Sequence, residues 1–263
     1  MSELTLMEYV ERLQGSGRYT FSRKMALEAT GLRPTSFEVS ACRLANKRRL
    51  IGVRRGFFVI IPVEYRSSGI LPPDWFIDDL MKFIGQPYYV ALLSAAELHG
   101  AAHQRPQAFQ VITAKATRDV AAAGLRIRFF QKSTVATTPT VNKRTFTGDI
   151  PVSTPAATAL DLVAYERRIG RLNRVLTVLQ ELGESIDPDS LADAAQTCEQ
   201  PDAQRLGWLL DKAGFETVTG KLQTWLASQK TNAVALDPSG PVKGFARDPK
   251  WRVIVNTEIE GEL

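Results

Sequence analysis

The sequence has 263 residues, of which 44% are apolar and 23% are charged. This length fits two domains, and the composition excludes a disordered chain. The sequence contains no run of about 18 apolar residues, which excludes a membrane-spanning helix, and its formal net charge of +5 is compatible with a polyanionic partner.

Residues 1–65 are predicted to form a first domain in the order helix, short extended piece, helix, turn, helix and two strands. Apolar residues at spacings of three, four and seven predict the first helix over residues 5–14. Ser22 is a favourable N-cap for a second helix, which Gly31 ends. Pro34 suits the first turn of the third helix, where its missing N–H costs nothing.

The third helix is predicted to carry two stripes about a quarter-turn apart. The apolar stripe, expected to pack on the first two helices, comprises Phe37, Ala41 and Leu44. The polar stripe comprises Ser36, Ser40, Arg43 and Lys47. A stripe of donors and hydroxyls without a carboxylate is what a helix in the DNA major groove requires, because Arg and Lys reach guanine edges and phosphates and Ser reaches either.

Two apolar runs, residues 50–53 and 57–61, predict a β-hairpin after the third helix. Its tip contains Arg54 and Arg55, which we expect to reach neighbouring phosphates, and Gly56, which permits the tight turn. The element order, the basic helix face and the basic tip together predict a winged helix-turn-helix.

The charge of this region supports the same prediction. Eleven of the 33 basic residues lie between Arg12 and Arg55, opposed only by Glu28 and Glu38, so this stretch carries +9. A block of like charge on one small folded unit attracts a polyanion, and nucleic acid is the expected one. The alternative is a basic, solvated surface without a ligand.

Residues 66–263 are predicted to form a larger mixed α/β (α+β) domain, whose basic and acidic residues balance. Its first half is predicted to contain helices at residues 73–84 and 88–99 and strands at residues 107–113, 125–131 and 141–147. Its second half is predicted to contain helices at residues 156–167, 172–182, 189–198, 202–213 and 219–228 and a last strand at residues 251–256.

Two candidate metal sites are incomplete. His99 and His103 have the spacing of zinc ligands on a helix, but Gly100 interrupts that helix and no further ligand is near. Asp187 and Asp189 could hold magnesium, but they precede a helix, where turn and N-cap roles are expected. We therefore expect no metal, no cofactor and no enzymatic activity.

The two cysteines, Cys42 and Cys198, are expected to be free thiols in a reducing compartment. The N-terminus has acidic residues early and no basic-then-apolar signal segment, so a cytoplasmic protein is expected.

Five segments of the larger domain occur in a recognisable order: YYVALLSAAELHG at residues 88–100, FQVIT at 109–113, VSTPAATALDL at 152–162, RLGWLLD at 205–211 and the last segment, 251–256. Together they resemble the AbiEi family, the antitoxins of type IV abortive-infection toxin–antitoxin systems. With the winged-helix start, the resemblance covers nearly the whole chain.

The resemblance implies a protein that represses its own operon by binding inverted repeats of double-stranded DNA in the promoter. It also implies that the C-terminal domain counters a nucleotidyltransferase-like toxin encoded beside it, without a stable complex between the two. The family's DNA-binding positions fall here on Arg43, Lys47, Arg54 and Arg55, with Arg33 and Thr35 next to them.

Two other functions are compatible with the same pattern. One is a winged-helix regulator whose second domain senses a small ligand, and the other is a DNA-modifying enzyme that uses the winged helix only for targeting. The sequence has no heptad or other dimerisation helix, so we expect a monomer in solution that pairs on inverted repeats, where protein spacing must match the half-sites.

Overall fold

The computed structural model describes residues 4–101 and 106–260 of the chain. An N-terminal unit, residues 4–65, precedes a larger unit, residues 66–260, that contains a six-stranded sheet and a helical second half. The predicted α+β class is confirmed. Within the described residues, no helix has the length and apolarity needed to cross a bilayer.

The N-terminal unit contains the elements predicted for it. Its helices are α1 Leu6–Gly15, α2 Arg23–Thr30 and α3 Pro34–Asn46. Its strands are β1 Thr20–Ser22, β2 Leu50–Arg54 and β3 Phe57–Ile60, in the antiparallel order β1-β3-β2.

Local signals set the ends of these helices. The hydroxyl of Ser22 accepts from the backbone N–H of Met25 at 3.1 Å, and Gly31 ends α2 in the left-handed conformation with φ 69°. All three predicted apolar positions of α3, Phe37, Ala41 and Leu44, are buried in the core of this unit.

The larger unit is built on a mixed sheet with the strand order β6-β7-β5-β4-β9-β8. The pairs β5–β7 and β4–β9 are parallel, and the other three pairs are antiparallel. The strands are β4 Tyr88–Val90, β5 Phe109–Thr113, β6 Val120–Ala122, β7 Leu125–Gln131, β8 Thr140–Arg144 and β9 Asp149–Ser153.

Eight helices and a small three-stranded sheet complete the larger unit within the described residues. The helices are α4 Ile77–Ile84, α5 Leu92–Leu98, α6 Pro155–Ala164, α7 Glu166–Ile169, α8 Arg171–Leu182, α9 Pro188–Ala195, α10 Gln200–Lys212 and α11 Gly220–Ala227. The small sheet comprises β10 Val234–Ala235, β11 Arg247–Asp248 and β12 Val253–Ile254.

Three sequence predictions need correction in the larger unit. The helix predicted from residue 88 begins at Leu92, because Tyr88–Val90 is a strand between β5 and β9, where aromatic and β-branched residues pack well. The helix predicted from residue 73 begins at Ile77, after a 3₁₀ turn. The last strand is only Val253–Ile254.

The two units share a hydrophobic core. Val53 and Phe57 of the N-terminal hairpin belong to one buried cluster with Leu80 of α4 and with Ile127 and Phe129 of β7. The boundary near residue 65 stays a prediction, but the units are packed against each other and are not merely joined by a linker.

Replacing Gly207 with alanine is expected to lower the melting temperature by roughly 2–12 °C. Gly207 lies in α10, and a Cβ there would overlap the indole ring of buried Trp251. Overpacking a core costs about 1–3 kcal/mol, and each kcal/mol lowers the melting temperature of a chain this size by about 2–4 °C. The control is Gly220→Ala, since a Cβ at Gly220 meets no atom within 4 Å. Equal melting of the two variants, followed by circular dichroism, would contradict this packing.

Candidate nucleic-acid interface

The N-terminus of α3 is open to a phosphate. Pro34 occupies its first turn, Arg33 precedes it without a side-chain cap, and the first turn contains no acidic residue. Thr35 and Ser36 are exposed beside it. Free backbone N–H groups and the positive end of the helix dipole favour an anion at this position.

The predicted polar stripe of α3 is present on the surface. Ser36, Arg43 and Lys47 are exposed, and Ser40 is half-buried. Among the ion pairs between described residues, none involves Arg33, Arg43 or Lys47. In the part of the chain that the structure describes, the cations along this face of the helix therefore have no acidic partner, and hydroxyls lie beside them.

Val39 belongs to the same region of α3 and was missed by the sequence analysis. Its side chain is 52% exposed, and it lies three residues after Ser36 and four before Arg43. An exposed methyl beside hydroxyls and cations suits contact with a thymine methyl group in the major groove. The sequence could have predicted this exposure, because Val39 lies outside the apolar stripe of α3.

Several other basic residues of the N-terminal unit have intramolecular partners. Arg23 pairs with Glu38 at 2.9 Å, and Arg49 pairs with Glu11 at 3.1 Å. The Arg48 guanidinium donates to a backbone carbonyl of the larger unit at 3.4 Å. The ion pairs offset the charges of Arg23 and Arg49, whereas Arg48 keeps its charge.

The hairpin tip separates its two arginines. Arg55 is exposed beside Gly56, whose φ of 82° suits glycine. The Nη2 of Arg54 instead donates to the carbonyl of Arg118 at 2.6 Å, and its guanidinium lies 6.0 Å from the ring centre of Phe129. Burial, together with the charge of Arg118, lowers the pKa of Arg54, although an arginine stays protonated. The contact with the larger unit competes with the phosphate contact predicted for Arg54.

The predicted histidine pair is only half described. His99 caps the C-terminal end of α5, as expected for a helix-end residue, and its Nε2 lies 2.7 Å from the carbonyl oxygen of Ser153. Burial lowers the pKa of His99. His103 lies outside the described residues. Within residues 4–101 and 106–260, no group of three His, Cys, Asp or Glu side chains could hold a metal ion, and Cys42 and Cys198 are free.

The two carboxylates considered for magnesium have separate structural partners. Asp187 is the N-cap of α9 and accepts from the backbone N–H of Ser190 at 2.9 Å, and this hydrogen bond lowers the pKa of Asp187. Asp189 forms an ion pair with Lys221 of α11. The predicted N-cap role is therefore confirmed for Asp187.

The larger unit contains a buried ion pair that the sequence analysis did not find. The Lys132 ammonium donates to Asp161 Oδ1 at 2.8 Å, and the Tyr89 hydroxyl donates to Asp161 Oδ2 at 2.9 Å. Burial raises the pKa of Asp161, and the charge of Lys132 opposes this shift. The pair joins α6 to the end of β7 and to β4. The sequence feature that could have indicated this pair is Asp161, the single carboxylate in the largely apolar segment ATALDLVA.

Part of the larger unit matches a known protein family. Residues 89–212 match the family described as the AbiEi antitoxin C-terminal domain. This segment runs from β4 to the end of α10 and includes the buried ion pair.

A solved structure shares the fold of the chain. The crystal structure of the RV2827C protein from Mycobacterium tuberculosis has a TM-score of 0.66, with 15% sequence identity, over 94% of this chain and 89% of that chain. At this identity the likeness concerns the fold alone. The search of curated proteins gave no match.

Proposed function

We propose that this protein is the DNA-binding antitoxin of a type IV toxin–antitoxin system. The match of residues 89–212 to the AbiEi antitoxin C-terminal domain supports this proposal and confirms the resemblance seen in the sequence. The family match supports an antitoxin role and a toxin partner. Repression of its own operon through promoter inverted repeats is the part of the proposal that the N-terminal unit would perform.

The observation that carries DNA binding is the face of α3 without acidic partners. In a winged helix-turn-helix, the recognition helix enters the major groove and its N-terminal residues contact base edges. The residues proposed to contact DNA are Arg33, Thr35, Ser36, Ser40, Arg43, Lys47 and Arg55. We assign Arg54 to holding the wing against the larger unit through Arg118.

The larger unit is proposed to counter a nucleotidyltransferase-like toxin without forming a stable complex. The family match lies entirely within this unit, which supports its assignment to antitoxicity. The protein is proposed to be cytoplasmic and to act as a monomer in solution that pairs on the two halves of an inverted repeat.

A salt titration of DNA binding tests the repressor part. If the four basic residues proposed to contact DNA meet phosphates, log K should fall against log salt with a slope near about −4 per bound protein, and Arg55→Ala should flatten it by about one. Fluorescence anisotropy on the promoter duplex and on a random duplex measures both slopes. Arg144→Ala is the matched control, because Arg144 is an exposed arginine paired with Asp149 on the larger unit. A slope near zero would refute the electrostatic argument.

Replacing Asp187 and Asp189 together with asparagine is expected to leave both repression and rescue from the toxin near wild type. Asn caps a helix about as well as Asp, and an exposed ion pair such as Asp189–Lys221 contributes little. A catalytic pair would instead lose its metal and its activity. Promoter-reporter and toxin co-expression assays give the two readouts. Loss of rescue in a double variant that melts like the wild type would favour an enzyme.

A further inference from the structure

The larger unit contains a cavity of about 530 Å³ lined by cationic side chains. Its described lining residues all belong to the larger unit. Four arginines line it, Arg126, Arg128, Arg168 and Arg174, and none of the described residues that line it carries a carboxylate. Several guanidinium groups around one concave space favour a polyanion there. Guanidinium groups also match phosphate oxygens with two parallel hydrogen bonds.

Two of these arginines come from β7. Arg126 and Arg128 are two residues apart, so they project from the same face of the strand. Ile127 and Phe129 project from the other face, where they pack in the cluster shared with the hairpin. The cavity therefore lies on the sheet face opposite to the wing and does not extend the proposed operator surface.

Packing holds two of the guanidinium groups in place. Those of Arg128 and Arg168 lie 5.4 Å and 4.2 Å from the ring centre of Phe130, and Arg128 Nη1 donates to the carbonyl of Arg168 at 3.1 Å. Gly170, with φ 116°, then turns the chain from α7 into α8, which supplies Arg174. The first turn of α8 carries no acidic residue and no side-chain cap.

A second cavity of about 560 Å³ adjoins the first and shares Pro106, Gln107 and Arg126 with it. Its wall combines apolar side chains, including Leu98 and Phe109, with the acidic residues Asp74 and Glu97. Each volume lies within the range of small-molecule sites. A ligand that fills both cavities needs a polyanionic end for the arginines and, for the neighbouring space, a partly apolar body that also carries hydrogen-bond donors.

We propose that the two adjoining cavities bind a nucleoside triphosphate, with its phosphates on the four arginines and its base in the neighbouring cavity. This inference goes beyond the proposed function and does not depend on it. A DNA duplex would offer phosphates too, but its backbone would not place a base in the second cavity.

Calorimetric titration of the full-length protein with ATP tests the proposal. Arg126→Ala with Arg174→Ala should weaken ATP binding by about 100-fold or more, since each charged hydrogen bond lost costs one or two factors of ten. The matched control is Arg144→Ala with Arg167→Ala, which also removes two positive charges, from residues that line neither of the two cavities. It should bind ATP like the wild type.

Three further ligands separate the possible sources of binding. Inorganic triphosphate and adenosine should each bind at least about tenfold more weakly than ATP, because each fills one cavity only. Failure of ATP to bind at about 1 mM, or equal binding of ATP and inorganic triphosphate, would overturn the proposal. The proposal would also be overturned if the variant Arg126→Ala with Arg174→Ala lost affinity for random duplex DNA while its ATP affinity stayed unchanged. If the alanine variant does not fold, Arg126→Lys with Arg174→Lys should still lose about threefold or more, and unchanged ATP binding would refute the site.

Discussion

Replacing Lys132 with methionine is expected to lower the free energy of unfolding by about 3–5 kcal/mol at neutral pH. The substitution leaves the Asp161 carboxylate, which is 1% exposed, with the Tyr89 hydroxyl but without its cation. An uncompensated buried charge is far more costly than the pair is stabilising. Urea denaturation of both proteins at about pH 7 measures the difference.

The loss should depend on pH in a defined direction. Burial already raises the pKa of Asp161 from its ordinary value of 3.8 in the native protein, and removing Lys132 raises that pKa further. A carboxyl whose pKa is raised by folding destabilises the native state progressively as pH rises through its folded-state pKa, and it costs nothing below the unfolded value. The deficit of Lys132→Met should therefore shrink between pH 7 and about pH 4.5.

The control is the double variant Lys132→Met with Asp161→Asn. Replacing both members of a buried pair can be nearly neutral, so this protein should recover most of the lost stability and lose the pH dependence of the deficit. A deficit that stays constant with pH would show that Lys132 acts through packing and not through its charge.

Replacing Arg43 and Lys47 together with alanine is expected to weaken operator binding by about 100-fold. A bidentate contact of Arg with a base edge contributes about 1–3 kcal/mol of discrimination, and a Lys–phosphate contact contributes similarly to all sequences. The affinity for a random duplex should fall less, so the ratio of operator affinity to random-duplex affinity should decrease. Anisotropy at one fixed salt concentration measures the two affinities.

Lys143→Ala with Arg144→Ala serves as the control for that measurement. It removes the same charge from β8 of the larger unit, where both residues lie outside the α3 stripe. This variant should bind the operator within about twofold of wild type. Equal losses on operator and random duplex in the α3 variant would mean that α3 supplies charge without reading bases.

Features set by neighbouring residues could be predicted from the sequence. The cap at Ser22, the end of α2 at Gly31 and the start of α3 at Pro34 each depend on one or two turns of chain. The buried and exposed faces of α3 follow from the helical period alone. The family resemblance was likewise carried by short segments, and the match to residues 89–212 confirms it.

Features set by distant residues could not be predicted. Lys132 and Asp161 are 29 positions apart, and nothing local indicates that they meet. The turn of Arg54 toward Arg118 depends on how the hairpin packs against β6 and β7. Strand Tyr88–Val90 forms because two other strands flank it, whereas its own neighbourhood, rich in Ala and Leu, favours a helix.

The core shared by the hairpin and the large sheet has a consequence for turnover in the cell. Apolar side chains of both units lie in one cluster, so opening the sheet exposes the hairpin's interior at the same time. A protease that cleaves the opened chain would therefore inactivate both units in a single event. Under the proposed function, loss of the protein would then derepress the operon at the moment its toxin is released.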